Sequence, residues 1–425
     1  MTAIPRIIAT LAAASAVAVG ALAPTVPATA APALRSSSIA SATSGASETA
    51  SDAALRAAMQ ALVGAGATGV SALVDDGDGV RRFAVGSARL DPRLALRPAD
   101  QFRVGSITKT AVSVVALQLA EQGRLSLRDS IESWLPGVVP NGSAITLRML
   151  LNHTSGIFNY TDDQDFVATV LAHPYRHWSP RELIDVATSH PPVFAPGTDW
   201  SYSNTNYILV GLVLQKATGR SVAELVQQRA IRPLHLENTY LAGTASFRGR
   251  FAHGYAPPGL LGDSYVDLSH WSPSWAWAAG ALVSNAPDLA RFYQSLLSGR
   301  LLSRAMLHQM TTTVSAAPGL GYGLGIFTAD TPCGTIWGHD GGIPGYVSIA
   351  YNNAEGTRSA VVLMPTQPDS AIVPKFQSVV LAAVCSMFQR PVPAAAAASP
   401  APSAVVLDVL GAAVGERPSP ARSSG

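Results

Sequence analysis

The chain has 425 residues, 48% of them apolar and only 13% charged, which suits a globular body with a real core and excludes a largely disordered chain. Its 29 basic and 27 acidic side chains leave a net charge of +2. No Lys/Arg block occurs along it, so the basic surface that a nucleic-acid partner requires is not expected.

Taken in order, residues 1–31 read as an export signal. Arg6 precedes the apolar run Ile7–Ala23, and Ala28-Thr29-Ala30 offers small residues for cleavage. That run is mostly alanine, falls short of about 20 strongly apolar residues and stops at Pro24, which disfavours a retained membrane span. A secreted, extracellular protein is expected. Residues 32–52 are rich in Ala, Ser, Thr and Pro and predict a disordered leader to a folded body over 53–390.

Within the body, 53–64 predicts a short helix. Val70–Val74 and Arg81–Val85 flank an Asp/Gly turn at 75–79 and predict a hairpin. Apolar residues recur at helical spacing from Thr110 to Glu121, with Gly123 as the stop. Further helices are predicted over 146–152, 180–188, 205–218, 221–230 and 287–298, then short strands near 335–338, 346–351 and 359–364. A last helix spans roughly 371–388. Residues 391–425 are Pro/Ala/Ser-rich and predict a disordered tail; Ala404–Gly415 within it is too short to cross a bilayer and carries Asp408.

Cys333 and Cys385 are the only cysteines. An even count in an exported chain predicts a disulfide, and with no C-x-x-C the staple is favoured over a metal site or catalytic thiol. His173 and His177 stand four apart, but Pro174 between them spoils a helical ligand pair. No metal and no cofactor are expected.

Three stretches can carry chemistry. In Gly105-Ser106-Ile107-Thr108-Lys109, the serine stands at the head of the helix through 121, and Ser106 and Lys109, three apart, project from one face. An alcohol needs a base within hydrogen-bond reach, and a lysine serves once burial lowers its pKa. Only three of the 29 basic residues are lysines, which suggests a position that an always-protonated arginine could not fill. The second stretch, Tyr202-Ser203-Asn204, lies in a turn before the helix 205–218; the phenol can move a proton and the amide can both donate and accept. The third, Gly338-His339-Asp340-Gly341-Gly342, follows a β run, and its glycines permit the close backbone approach of an oxyanion hole.

Ser-x-x-Lys, Tyr-x-Asn and His-x-Gly in this order resemble the low-molecular-weight penicillin-binding and class C β-lactamase superfamily, most closely secreted actinobacterial D-alanyl-D-alanine carboxypeptidases. The resemblance covers roughly 55–388 and takes in Leu150–Gly156, Ala279-Gly280-Ala281, Gly321–Gly325 and the cysteine placement. It implies an α/β (α+β) fold, β-lactamase/transpeptidase-like: an antiparallel sheet flanked by helices, plus a helix-rich inserted part over about 106–275. It also implies that Ser106 is acylated, that Lys109 and Tyr202 share the proton transfers, and that His339 stands where the family has Lys or His. Asn204, Asp340 and Gly341 would meet substrate, Ser106 and Gly342 would supply the oxyanion hole, and Phe166 and Trp275 would line the cleft. Substrates implied are small peptides, esters or β-lactams, acted on by a monomer. D-Ala-D-Ala carboxypeptidase activity on peptidoglycan peptides leads; an esterase, amidase or β-lactamase on the same scaffold follows, and a non-catalytic penicillin sensor comes last.

Two departures bear on substrate. The carboxypeptidases usually carry His-Thr-Gly-Thr, whose hydroxyls hold a substrate carboxylate, whereas Asp340 and Gly342 stand in those places here. A basic residue expected shortly after Gly323-Leu324-Gly325 is also absent, with Phe327 near its position. Acyl transfer survives both changes, while recognition of a free C-terminal carboxylate is weakened.

Overall fold

The computed structural model describes residues 49–393; the expected export signal, the leader up to residue 48 and the tail beyond 393 lie outside the described residues. Helix α1, Ala50–Gly64, starts three residues before the predicted 53 and takes in the end of the expected leader. The hairpin forms and is longer than predicted: β1, Gly69–Asp75, pairs with β2, Val80–Arg89. Its turn is made by carboxylates, with Asp75 accepting from the Gly77 N–H and Asp76 from the N–H groups of Asp78 and Gly79. A short edge strand, β3, Leu94–Ala95, follows.

The helix-rich part contains α2, Thr108–Glu121; α3, Leu147–Leu151; α4, Gln164–Ala172; α5, Pro180–Thr188; α6, Asn204–Thr218; α7, Val222–Val226; α8, Ala286–Leu297; and α9, Arg304–Thr311. Of these, α4 and α9 are not anticipated by the sequence, and helices continue past 275 to 311. Six of their caps follow the rule that a side-chain oxygen accepts from the third residue on: Thr146, Asp163, Ser179, Ser221, Asn285 and Ser303. The chain then returns to the sheet as β4, Val314–Ala317; β5, Leu320–Tyr322; β6, Phe327–Thr331; β7, Gly334–Ile343; β8, Tyr346–Asn352; and β9, Ser359–Met364. Helix α10, Ile372–Met387, closes the fold.

The sheet has nine strands in the order β3-β2-β1-β9-β8-β7-β6-β5-β4, every neighbour antiparallel. The amino-terminal hairpin therefore meets the last strand in the middle of one sheet, while the helix-rich part is inserted between β3 and β4. Alternation then divides the core in two. Val70, Ala72, Val74, Ile349 and Val362 pack with α1 and α10, whereas Leu73, Ala350, Val361 and Leu363 join the larger cluster of the helix-rich part. Each large apolar side chain so buried contributes about 1.5–3 kcal/mol.

Helix α2 departs from an ordinary amphipathic helix. Eleven of its fourteen residues are buried, including Lys109 at 0% exposure. It runs through the interior rather than along a surface, and it carries its polar groups inward with it.

Candidate active site

The nucleophile turn is built from backbone constraints. After the two-residue strand Phe102–Arg103 the chain makes one 3₁₀ turn, Gly105–Ile107, and then enters α2. Gly105 has φ +50°, and a Cβ there would lie 2.7 Å from the Gly342 carbonyl oxygen and 2.9 Å from its nitrogen. A Cβ on Gly341 would lie 2.0 Å from the Val104 carbonyl oxygen. Only paired glycines let the serine turn touch β7 this closely.

Strand β7 runs straight through the third motif, which the sequence placed after a strand. Its pairing with β6 ends at Phe327↔Gly338, while its pairing with β8 continues from Trp337↔Asn352 to Ile343↔Tyr346. Residues 339–343 thus keep one edge free of strand partners, and that edge faces the serine turn. The Asp340 carbonyl accepts from His339 Nδ1 at 2.6 Å instead of completing a strand ladder there. Backbone groups two residues apart point to the same edge, so Gly342 offers its N–H beside Ser106.

Lys109 Nζ makes three contacts: Ser106 Oγ at 3.0 Å, Asn204 Oδ1 at 2.7 Å and the Ala279 carbonyl at 2.9 Å. Two of these partners are carbonyl oxygens that can only accept, and the third is a hydroxyl that can also donate. A neutral amine fits this set completely, giving its two protons to the carbonyls and its lone pair to the Ser106 hydroxyl. Burial pushes the Lys109 ammonium well below the usual lysine range, and the negative charge of Asp340 opposes that shift.

Tyr202 is hydrogen-bonded to Ser106, and burial pushes its phenol well above the ordinary tyrosine range, so it stands as a neutral donor. Its ring lies 4.7 Å from Lys109 Nζ and 4.3 Å from the His153 ring. The loop that holds it is tied down residue by residue. The Ser201 N–H donates to the His153 carbonyl, the Ser203 N–H to His153 Nδ1, and the Asn204 N–H to Asn159 Oδ1. Asn204 leads α6; its Oδ1 accepts from Lys109 and its amide donates to Thr161 Oγ1 at 3.1 Å, leaving one N–H for a ligand.

Ser106, Lys109, Tyr202, Asn204, Gly341 and Gly342 are therefore brought together, and His339 lies beside them, its ring 6.4 Å from that of Tyr202. Trp275 is half-buried, and its carbonyl accepts from the Tyr160 hydroxyl at 2.6 Å. Phe166 does not line a cleft: it is 4% exposed and packs edge-on against Tyr160 and Trp178. Asp340 is also buried, at 3% exposure, with one carboxylate oxygen accepting no hydrogen bond and lying 3.4 Å from His339 Nδ1. It acts on the site as a field on Lys109, not as an open contact to substrate. Cys333 and Cys385 are disulfide-bonded and tie the β6–β7 turn to α10.

Sequence reading missed His153, Thr161, Tyr322 and the Ala279 carbonyl. Three of them lie inside stretches that the resemblance had marked, Leu150–Gly156, Ala279-Gly280-Ala281 and Gly321–Gly325, but only the fold shows which atoms they touch. No group of three or more metal-ligating side chains occurs among the described residues. No helix among them is long and apolar enough to cross a membrane.

Comparison with known proteins agrees with this geometry. The chain matches the Beta-lactamase family over residues 53–382. It is 26% identical to penicillin-binding protein 4* of Bacillus subtilis over 335 residues, 75% of this chain and 71% of that one. Among solved structures, a D-stereospecific amidohydrolase from Streptomyces sp. is 39% identical with a TM-score of 0.72, covering 79% of this chain and 98% of that one. An octameric penicillin-binding protein homologue from Pyrococcus abyssi shares the fold at 23% identity and TM-score 0.69, covering 80% of this chain and 78% of that one. The expected monomer is thus not a property of the fold as such. A match over most of the folded body, joined to a serine that a buried amine and a phenol both address, leads to one conclusion: this chain belongs to the β-lactamase family and is a serine hydrolase of the β-lactamase and penicillin-binding-protein type.

Proposed function

We propose that the protein hydrolyses amide bonds on the carbonyl side of D-configured residues through an acyl-enzyme on Ser106, in substrates that lack a free carboxylate next to the scissile bond. The observation that carries this is the charge at the site. Lys109 is the basic side chain hydrogen-bonded to Ser106 and Asn204, its contacts are all made inside the protein, and the nearby fixed charge is the buried Asp340. Nothing there replaces the hydroxyl pair of His-Thr-Gly-Thr, because Gly342 has no side chain and Asp340 is buried. The D-configuration is supported by the likeness to the Streptomyces D-stereospecific amidohydrolase. D-Ala-D-Ala carboxypeptidase activity is the second reading, favoured by the intact Ser106, Lys109, Tyr202 and His339 set.

In this reading Lys109 takes the Ser106 proton as Oγ attacks the carbonyl carbon, and the N–H groups of Ser106 and Gly342 hold the oxyanion. Tyr202, kept protonated by burial, gives its proton to the leaving amine and recovers one from Lys109. Water then repeats the sequence on the ester. We read the export signal as genuine, which would place this chemistry outside the cell. Competing a D-amino-acid amide, its L-enantiomer and a peptide ending in D-Ala-D-Ala in one purified sample tests the proposal. The D-amide should lead both rivals by more than tenfold in kcat/KM; faster turnover of the free-carboxylate peptide would return the carboxypeptidase.

A further inference from the structure

His153, Tyr322 and His339 form a buried chain whose hydrogen-bond directions can be worked out from one end. The Ser203 backbone N–H can only donate, and it points at His153 Nδ1 at 3.1 Å; the Asn206 amide contacts the same nitrogen at 3.2 Å. His153 Nδ1 is therefore an acceptor. Burial holds His153 well below the ordinary imidazole range, so its single proton sits on Nε2. That proton faces Tyr322 Oη at 3.3 Å. Tyr322 in turn lies 2.9 Å from His339 Nε2. At the far end, His339 Nδ1 lies 2.6 Å from the Asp340 carbonyl, which can only accept. With His339 neutral, these links are satisfied together by His153 Nε2–H to Tyr322, Tyr322 O–H to His339 Nε2, and His339 Nδ1–H to the Asp340 carbonyl.

We propose that His153 and Tyr322 are positioning residues that hold His339 as a neutral imidazole protonated on Nδ1, so that His339 anchors the free edge of β7 instead of exchanging protons with Ser106. The Asp340 carbonyl that it holds lies two residues before Gly342 on that edge. The chain thereby couples the loop carrying Tyr202 to the strand offering the oxyanion N–H. Other titratable or charged groups face it as well. Tyr207 on α6, which is also hydrogen-bonded to Tyr322, commits its own proton to the Leu151 carbonyl at 2.9 Å, Lys109 on α2 is occupied as described, Tyr202 donates to Ser106, and the Asp340 carboxylate stands 3.4 Å from His339 Nδ1. A second proton on His339 would turn Nε2 into a donor, leave Tyr322 facing two N–H groups and turn the Tyr322 proton towards Tyr207.

Nitrogen-15 NMR of the full chain labelled at histidine reads the ring protonation directly, with His153→Gln and His339→Gln assigning the signals. At neutral pH the proposal requires His153 protonated on Nε2 alone and His339 on Nδ1 alone; either ring in the other tautomer, or a doubly protonated His339, overturns it. The kinetic arm rests on the function proposed above, whereas the NMR arm does not, so the two can fail separately. In that arm His153→Gln, which keeps one acceptor and one donor, should stay within about threefold of wild type. Tyr322→Phe should lower kcat about tenfold with KM little changed, and should add an ionisation in the imidazole range to the kcat–pH profile. A Tyr322→Phe variant with an unaltered kcat and profile would contradict the positioning role.

Discussion

Both faces of the central sheet bury apolar side chains, and they differ in the polar groups buried with them. Towards α1 and α10 the buried set is dominated by apolar side chains such as Leu55, Met59, Phe376, Val379 and Val384, with a disulfide fixed at its edge. Towards the helix-rich part, Lys109, Thr110, Ser113, His153, Ser155, Thr205 and Asn206 are all buried with hydrogen-bond partners that are themselves committed. Apolar packing is roughly additive and tolerates exchange by volume, whereas a buried polar network holds only when every member is satisfied. The first face should therefore answer mutation with graded losses of stability, and the second with sharp losses of function.

The largest test of that contrast is Ser106→Ala, which should lower kcat on any amide or ester by at least about 10⁴-fold while leaving the melting temperature almost unchanged. Next comes Lys109→Met, which keeps the volume but removes the base. Turnover should fall about 10³-fold, while thermal stability should change little, because relief from the desolvated amine is offset by the Asn204 and Ala279 oxygens left without its donors. A calorimetric scan beside the rate assay checks both halves, and a stable, active Lys109→Met protein would break the comparison.

On the other face, replacing Cys333 and Cys385 with alanine should do the reverse. The bond closes a loop with a sequence separation of 52, for which the chain-entropy account gives up to about 4 kcal/mol of stability. Urea unfolding should show a loss of that order, with activity at 25 °C within about twofold of the parent. A loss of activity in the still-folded double variant would mean that the staple also shapes the site.

The smallest expected effect belongs to Asp340→Asn. Its charge raises the Lys109 pKa against the dominant lowering by burial, so removing it should lower that pKa further. More free amine is then present on the acid side, and the acid limb of the rate profile should move to lower pH, with a gain of less than about tenfold there and none on the plateau. A limb displaced to higher pH would show that the charge acts in some other way.

Much of this was legible in the sequence, and the remainder was hidden for identifiable reasons. Periodicity and capping residues located α2, α5, α6, α8 and α10 to within two residues, because local pattern dictates them. Strands β4, β5 and β6 were not read: they are three to five residues long and glycine-punctuated, and they depend on neighbours in the sheet. The motif residues could be picked out because each of the three motifs sits at a helix start or on a strand. Phe166 was misplaced because an aromatic residue in a helix-rich part reads the same whether it faces a cleft or a core. The link from His153 to Tyr322 joins residues 169 apart, and no local signal could report it.

The central claim is that Ser106 carries the acyl group and that a neutral Lys109 prepares it. Treating the protein with a penicillin or a fluorophosphonate across a range of pH, then mapping the adduct by tandem mass spectrometry, tests both parts together. The account predicts one adduct, on Ser106, absent from Ser106→Ala, and forming more slowly as acid protonates Lys109. An adduct on another residue, one that persists in Ser106→Ala, or a rate indifferent to pH down to the carboxylate range would contradict it.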